Sequence, residues 1–374
     1  MESTPMNAVD ILAKLIEFQT VSPPGNEAPA AEFLAGLLQS RGFCVQVQQL
    51  GNNRANMIAW IGDEGPELML NGHLDVVPAA GEWTFPPFSM TRKEGRLYGR
   101  GSADMKGGVA AMCEAAIRFA SKGGPRRGRL KLLFVADEEC SNLGTHAYLN
   151  ANKAPQYAVI GEPTNLEISI AHRGVARDYI DLHEPPRHAA LPHEGKDVME
   201  AAEDALRAMR KINEDLKKRS HEVLPPPSVA VTMIQGYEKD NVVPGNVRLL
   251  TDFRILPGMK YEEVKEILCR GLEEERVEKF SISPHFFMPG GQISSSDPFV
   301  KLCLEERNRL LNSVSGPKAF GASCEQCFLT ECGTQALICG PGNLEQAHTV
   351  DEFTEEKQVK AAAELYERII NRIL

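Results

Sequence analysis

Apolar positions recur every three or four residues over 7–17, with Val9, Leu12, Leu15 and Ile16 forming one stripe, and this predicts an amphipathic helix. Residues 30–38 repeat the pattern, and Gly42 follows as a stop. The pattern then changes to short apolar runs at 56–61, 67–70, 130–136 and 157–160, bounded by Gly, Pro, Asn or charge, which read as strands. Between them, 109–120 is an Ala- and Met-rich helix. Strands alternating with helices predict an α/β layered domain on a parallel or mixed sheet.

The middle of the chain has another rhythm. A strand at 175–182 precedes a Pro- and His-rich loop at 184–194 and a long charged helix at 198–218. Strands at 229–235 and 247–255, a helix at 262–275 and a strand at 280–286 complete a small α+β unit. Beyond Gly290-Gly291, helix and strand alternate again over 297–342, and 355–374 is a closing helix. The expected organisation is a mixed-sheet α/β domain (1–172 and 289–374) interrupted by a smaller α+β domain (173–288). At 374 residues the chain is long enough for two cores.

Composition narrows the function classes. A net charge of −10, with acids and bases interspersed, argues against nucleic-acid and membrane-surface partners. No run reaches the roughly 18–20 apolar residues of a membrane helix. The N-terminal residues lack the basic and apolar regions of a secretory signal, and nine cysteines form no small-scaffold framework, so a cytoplasmic location is expected.

Candidate chemistry sits where apolar runs end. In NGHLDVVP, His73 and Asp75 are two apart, so an extended backbone points both to one face, suiting a ligand histidine whose tautomer a carboxylate fixes. LYGRGSADMKGG fits no phosphate-binding pattern, and its Asp104 reads as a carboxylate delivered to a crowded site. FVADEECSN places three adjacent acids at a strand end, which is costly unless a cation or a proton neutralises them. Glu162 follows a strand in VIGEPTN, and His348 lies in CGPGNLEQAHTVDE with two acids after it. One Asp, several Glu and two His make a ligand set for a divalent metal, and the surplus carboxylate suggests two metals sharing a bridge.

These five segments, with SPPGNE, EWTFPPF and NVVPGNVRLLTDFRILPG, resemble the two-zinc hydrolases that include acetylornithine deacetylase, succinyl-diaminopimelate desuccinylase, aminoacylase and glutamate carboxypeptidase. The resemblance implies a zinc-hydrolase catalytic domain interrupted by a ferredoxin-like lid that carries the dimer interface. It also implies two Zn²⁺, with Co²⁺ or Mn²⁺ as substitutes. His73, Asp104 and Glu162 would hold one ion; Asp104, Glu139 and His348 the other, with a cis peptide after Asp104. Asp75 would orient His73, and Glu138 would be the general base. His188, from a second copy, would support the oxyanion, ahead of His193. Asn241, Arg254 and Arg173 would contact substrate, Arg254 being suited to a carboxylate.

The chain departs from that pattern in two places. Two prolines stand in HEPPRH before His188, and GASCEQCF replaces a Gly-Ser/Thr-Asp-Ala-Arg-like run, so specificity does not carry over. Cys324 and Cys327 read as buried thiols, with a redox pair or a metal site as alternatives. Cys44, Cys113, Cys269 and Cys303 read as core packing. The expected activity is hydrolysis of a small N-acyl amino acid. The alternatives are a carboxypeptidase or dipeptidase sharing every metal residue, and a non-catalytic metal-binding scaffold.

Overall fold

The computed structural model describes residues 6–192 and 195–374. It divides into two units: residues up to Ala171 together with Gln292–Leu374, and His172–Gly291.

The larger unit is built on a mixed sheet, nine-stranded among the described residues. Its central strands Arg129–Val135, Glu67–His73, Tyr157–Ile160 and Gln335–Ile338 lie parallel and adjacent in that order. Their near-continuous apolar burial is what parallel strands covered on both faces require. Met69, Leu133, Val135, Ala158, Ile160, Ala336 and Ile338 form one cluster with Tyr148 of the helix Leu143–Ala151 and Leu329 of Gln326–Glu331. The helix Lys106–Ser121 packs on the sheet beside Gly72, where an added Cβ would meet Met105 and Val109. Helices Ala8–Glu17 and Glu356–Ile373 pack against it in turn. Asn7 caps the first of these, accepting from the amides of Val9 and Asp10 in a capping box.

Parallel strands share one carboxyl edge, and ligand sites of such sheets gather there. His73 ends one strand, Asp137–Glu139 follow a second, Glu162 a third, and the segment carrying His348 the fourth.

The smaller unit has an antiparallel sheet ordered Ser228–Gln235, Asn246–Ile255, Gly174–His183 and Phe280–Met288. Helices Val198–Leu216 and Tyr261–Glu274 pack on each other, with Ile212 against Gly271. The chain order strand-helix-strand-strand-helix-strand is the ferredoxin-like arrangement.

The sequence pattern left out several elements. Cys44–Gly51 is an antiparallel edge strand whose alternate residues face solvent, and Cys44 is therefore exposed, a correction to its placement in the core. Cys269 is only partly buried, whereas Cys113 and Cys303 are buried as expected. A small sheet of Thr91–Lys93, Arg96–Tyr98 and Phe353–Glu355 brings distant segments together. Among the described residues no helix is long and apolar enough to cross a membrane.

Candidate metal centre

The glycines of residues 99–108 serve close packing. A Cβ on Gly108 would lie 2.2 Å from the Gly161 carbonyl oxygen, and one on Gly340 would lie 2.1 Å from it. Only three glycines meeting here let the helix Lys106–Ser121 press Asp104 toward Glu162. The Asp104–Met105 peptide is cis.

Asp104 is the hub. Its Oδ1 lies 3.0 Å from His73 Nε2 and its Oδ2 3.2 Å from His348 Nε2. His73 Nε2 is also 3.7 Å from Glu162 Oε1, and His348 Nε2 is 3.2 Å from Glu139 Oε1. Ligating atoms of His73, Asp104 and Glu162 all lie within 4.8 Å of one another, as do those of Asp104, Glu139 and His348. Two nitrogen-and-oxygen donor groups thus share one carboxylate, a set that suits two borderline divalent ions.

Electrostatics follow from crowding. Burial works against the Asp104 charge, yet hydrogen bonds from His348 and His73 hold its carboxyl below the usual range. Hydrogen bonds to the Asp104 and Glu139 carboxylates raise His348 to about 10, against burial. Burial pushes Glu162 well above the carboxylate range, with Asp104 adding repulsion. Burial likewise raises Glu138, opposed by His73 and reinforced by Glu325, Glu162 and Glu139. A set of acids that repel one another at a strand edge is what a pair of cations would relieve.

Asp75 has a different partner from the one its spacing suggests. The His73 ring meets the backbone carbonyl of Asp75 at 2.9 Å through Nδ1, while the Asp75 carboxylate is 3.7 Å away. That leaves Nε2 facing Asp104 and Glu162. The carboxylate instead accepts the amides of Glu138, at 3.0 Å, and Glu139, at 3.2 Å. It thereby holds the turn that sends Glu138 toward Glu162 and Glu325, and Glu139 toward Asp104 and His348. Asp137 opens that turn at φ +70°, clamped by Arg54 at 2.6 Å. Arg54 also bonds Glu27, and Asn56 accepts from Ala136 and donates to Gly144 on either side of the turn.

Sequence reasoning gave no role to two acids near the centre, Glu352 and Glu325. Glu352 is buried and accepts from Arg100 (2.5 Å), Gly101 (2.9 Å), Ala103 (2.8 Å) and Asp104 (3.0 Å), pinning the loop that carries Asp104. Its closeness to His348 was the available signal. Glu325 is fully buried, and its ligating atom falls within 4.8 Å of those of Glu138 and Glu162. An acid amid the apolar run around Cys324 and Cys327 was its signal.

Both of those cysteines are buried, and burial raises their thiols well above the ordinary value, opposite to the thiolate a redox pair needs.

The remaining predicted residues belong to the smaller unit. His188 accepts the Ala190 amide at Nδ1 (3.1 Å), and its Nε2 lies 3.2 Å from the Asn241 side-chain nitrogen. Arg254 is paired with Asp252 at 2.6 Å. Arg173 lies 3.4 Å from Ser228 Oγ, and burial with the nearby Arg254 charge lowers its guanidinium. His193 lies outside the described residues.

Residues 69–372 match the model of Peptidase family M20/M25/M40. The chain is 31% identical over 345 residues to the acetylornithine deacetylase of Vibrio cholerae, covering 88% of this chain and 87% of that relative. It is 31% identical over 360 residues to the Proteus mirabilis enzyme of that name, covering 92% and 89%. Its fold is similar to that of an aminopeptidase from Bacillus cereus (TM-score 0.83, 18% identity, 99% of each chain). A tripeptidase from Staphylococcus aureus is similar as well (TM-score 0.81, 18% identity, 99% and 98%). With a family match over most of its length, the chain belongs to peptidase family M20/M25/M40 and is a metal-dependent hydrolase.

Proposed function

We propose that the chain hydrolyses the amide bond of a small N-acyl amino acid, removing an acetyl or related acyl group, with two Zn²⁺ ions held through Asp104. The reading rests on two donor groups that share Asp104 while Glu138, beside them, belongs to neither. The names of the acetylornithine deacetylases to which the chain is 31% identical support the acyl amino acid class. His73, Asp104 and Glu162 would hold one ion, and Asp104, Glu139 and His348 the other. When bound, the ions supply Lewis acidity toward the scissile carbonyl and lower the pKa of water.

The chain's own residues do the rest. Glu138, raised by burial and its neighbouring acids, takes a proton from the attacking water and delivers it to the departing amine. Asp75 keeps Glu138 and Glu139 apart through their amides. In the smaller unit, His188, steadied beside Asn241, is proposed as the oxyanion donor supplied by a second copy, with that unit as the dimerisation surface. Its edge strand Ser228–Gln235 exposes Ile234, with Tyr237 exposed just beyond, and this supports such a surface. Arg254 and Arg173 would meet the substrate carboxylate, Arg254 by exchanging its bond to Asp252.

The test is amide hydrolysis by zinc-loaded protein across N-acetyl amino acids, N-succinyl amino acids and dipeptides, each with a chelator control. Chelator-sensitive cleavage of acyl amino acids is the expected result. Cleavage of dipeptides alone would replace the deacylase reading with a peptidase one.

A further inference from the structure

The proposed reaction makes no use of SPPGNE, residues 22–27, or of Arg54, the first residue of the strand Arg54–Gly62. Together they form a closed ion network in the larger unit. Arg54 Nη1 donates to Asp137 Oδ1 at 2.6 Å, and its Nη2 and Nε donate to the Glu27 carboxylate at 2.6 and 3.1 Å. Ser22 Oγ accepts from Nη2 at 3.0 Å and donates to Asp137 Oδ1 at 3.3 Å. The side chains of Arg54, Glu27 and Asp137 are 11%, 0% and 5% exposed, so water competes little for these bonds. Gly25 has φ +88°, and a Cβ there would lie 2.3 Å from Arg54 Nε. The segment closes over the guanidinium only with a glycine at that place.

This network grips the base from both sides. Thr20 Oγ1 donates to the Leu74 carbonyl at 2.6 Å, the Ser22 amide to the Val76 carbonyl at 2.9 Å, and the Val76 amide to the Thr20 carbonyl at 3.0 Å. Between Leu74 and Val76 stands Asp75, whose carboxylate accepts the Glu138 and Glu139 amides. On the other side Arg54 holds Asp137, the residue directly before Glu138. The Asp137 carbonyl in turn accepts the amides of Ser141, at 3.1 Å, and Asn142, at 2.6 Å, so the whole turn hangs from it. Glu139 belongs to a donor group, and a bound ion would fix its carboxylate. Glu138 lies outside both groups that share Asp104, so its aim depends on where its backbone is held.

We propose that Arg54 is a positioning residue for the general base: by clamping Asp137 against Glu27 and Ser22, it fixes the turn that aims the Glu138 carboxylate. This rests on the role given to Glu138 in the hydrolysis above. The planar guanidinium fork serves two carboxylates and a hydroxyl at once, which the point charge of a lysine does not reproduce.

The experiment compares zinc-loaded wild-type protein with R54K, which keeps the charge, and D137N, whose asparagine keeps the shape and accepts the same positive φ. Substrates are the N-acetyl amino acids and dipeptides of the panel above. In both variants kcat should fall by about 10- to 100-fold, while KM and a content of two metals per chain stay at wild-type values. In an E138Q background the same changes should cost nothing further, because the group they aim is already gone. Hydrogen exchange supplies a readout that needs no turnover: the amides of residues 138–142 should exchange about tenfold faster in both variants, with the strand Glu67–His73 unchanged. Wild-type kcat or wild-type exchange in the variants overturns the role of Arg54. So does a loss that adds in full to that of E138Q, or one explained by missing metal. If wild-type protein cleaves dipeptides alone, the deacylase reading falls, and the same cycle on a dipeptide decides Arg54. If it cleaves nothing in the panel, the reaction and the inference fall together.

Discussion

Replacing Glu352 with Gln tests whether a buried carboxylate outside both donor groups governs the centre. Its Oε2 accepts from Arg100 and Gly101, and its Oε1 from Ala103 and Asp104. Gln keeps the shape but turns one oxygen into an NH₂ group. Whichever way the amide lies, that NH₂ faces two donors. Arg100 is 2% exposed and would lose its carboxylate counter-charge, its other neighbours being the Pro78 carbonyl at 3.3 Å and the Trp83 ring at 5.2 Å. Burial raises the Glu352 carboxyl, and the Arg100 ion pair opposes that rise. Breaking it is still expensive because the partner stays buried, about 3–5 kcal/mol. The lost amide bonds act on the same loop and do not simply add to that figure. Denaturant unfolding followed by tryptophan fluorescence is the assay, since Trp60 and Trp83 both lie in the larger unit and report it alone. Metal affinity, measured by titration of refolded protein, should weaken by about 10- to 100-fold as Asp104 loses its amide anchor. E352Q unfolding within about 1 kcal/mol of wild type, far less than a broken buried pair costs, would refute the reasoning. Lost stability with unchanged metal affinity would confine Glu352 to the fold.

Three further outcomes are expected. Glu138→Gln should keep both metals and lose turnover by about 10²–10⁴, because it removes proton transfer and no ligand; near-full kcat would remove Glu138 as the base. His348→Ala should bind one metal per chain where wild type binds two, by elemental analysis; full content would take His348 out of the site. Gly108→Ala should cost about 1–3 kcal/mol in thermal or denaturant unfolding, as its Cβ would press on the Gly161 carbonyl and shift Glu162. Wild-type stability and metal affinity in that variant would show that the packing there can relax.

Much of the architecture could be read from periodicity because local and global preferences agree. The 3.6-residue stripe of Ala8–Glu17 and the short apolar runs inside Glu67–His73 and Arg129–Val135 are read directly as a helix and two strands. Acids and histidines directly after such runs mark the carboxyl edge of a parallel sheet, which is why His73, Glu138, Glu139 and Glu162 stand out in the sequence. The elements that escaped are those whose pattern depends on a distant partner. The edge strand at Cys44 carries polar residues on its open side, and Thr91–Lys93 and Arg96–Tyr98 are strands only because Phe353–Glu355 pairs with them.

What the chain order alone pointed to, then, was a mixed α/β unit interrupted by a smaller α+β unit, and a centre of clustered acids and histidines suited to a metal. Hydrophobic periodicity and the cost of crowded charge act through neighbours in sequence. Pairing, by contrast, was decided only in three dimensions. Asp75 meets His73 through its carbonyl and spends its carboxylate on the amides of Glu138 and Glu139; Glu352 reaches back some 250 residues to hold Asp104; and Glu325 points two unpartnered oxygens into the acidic cluster. Hydrogen-bond geometry and burial are properties of packed atoms, and no spacing along the chain encodes which lone pair a distant amide will find.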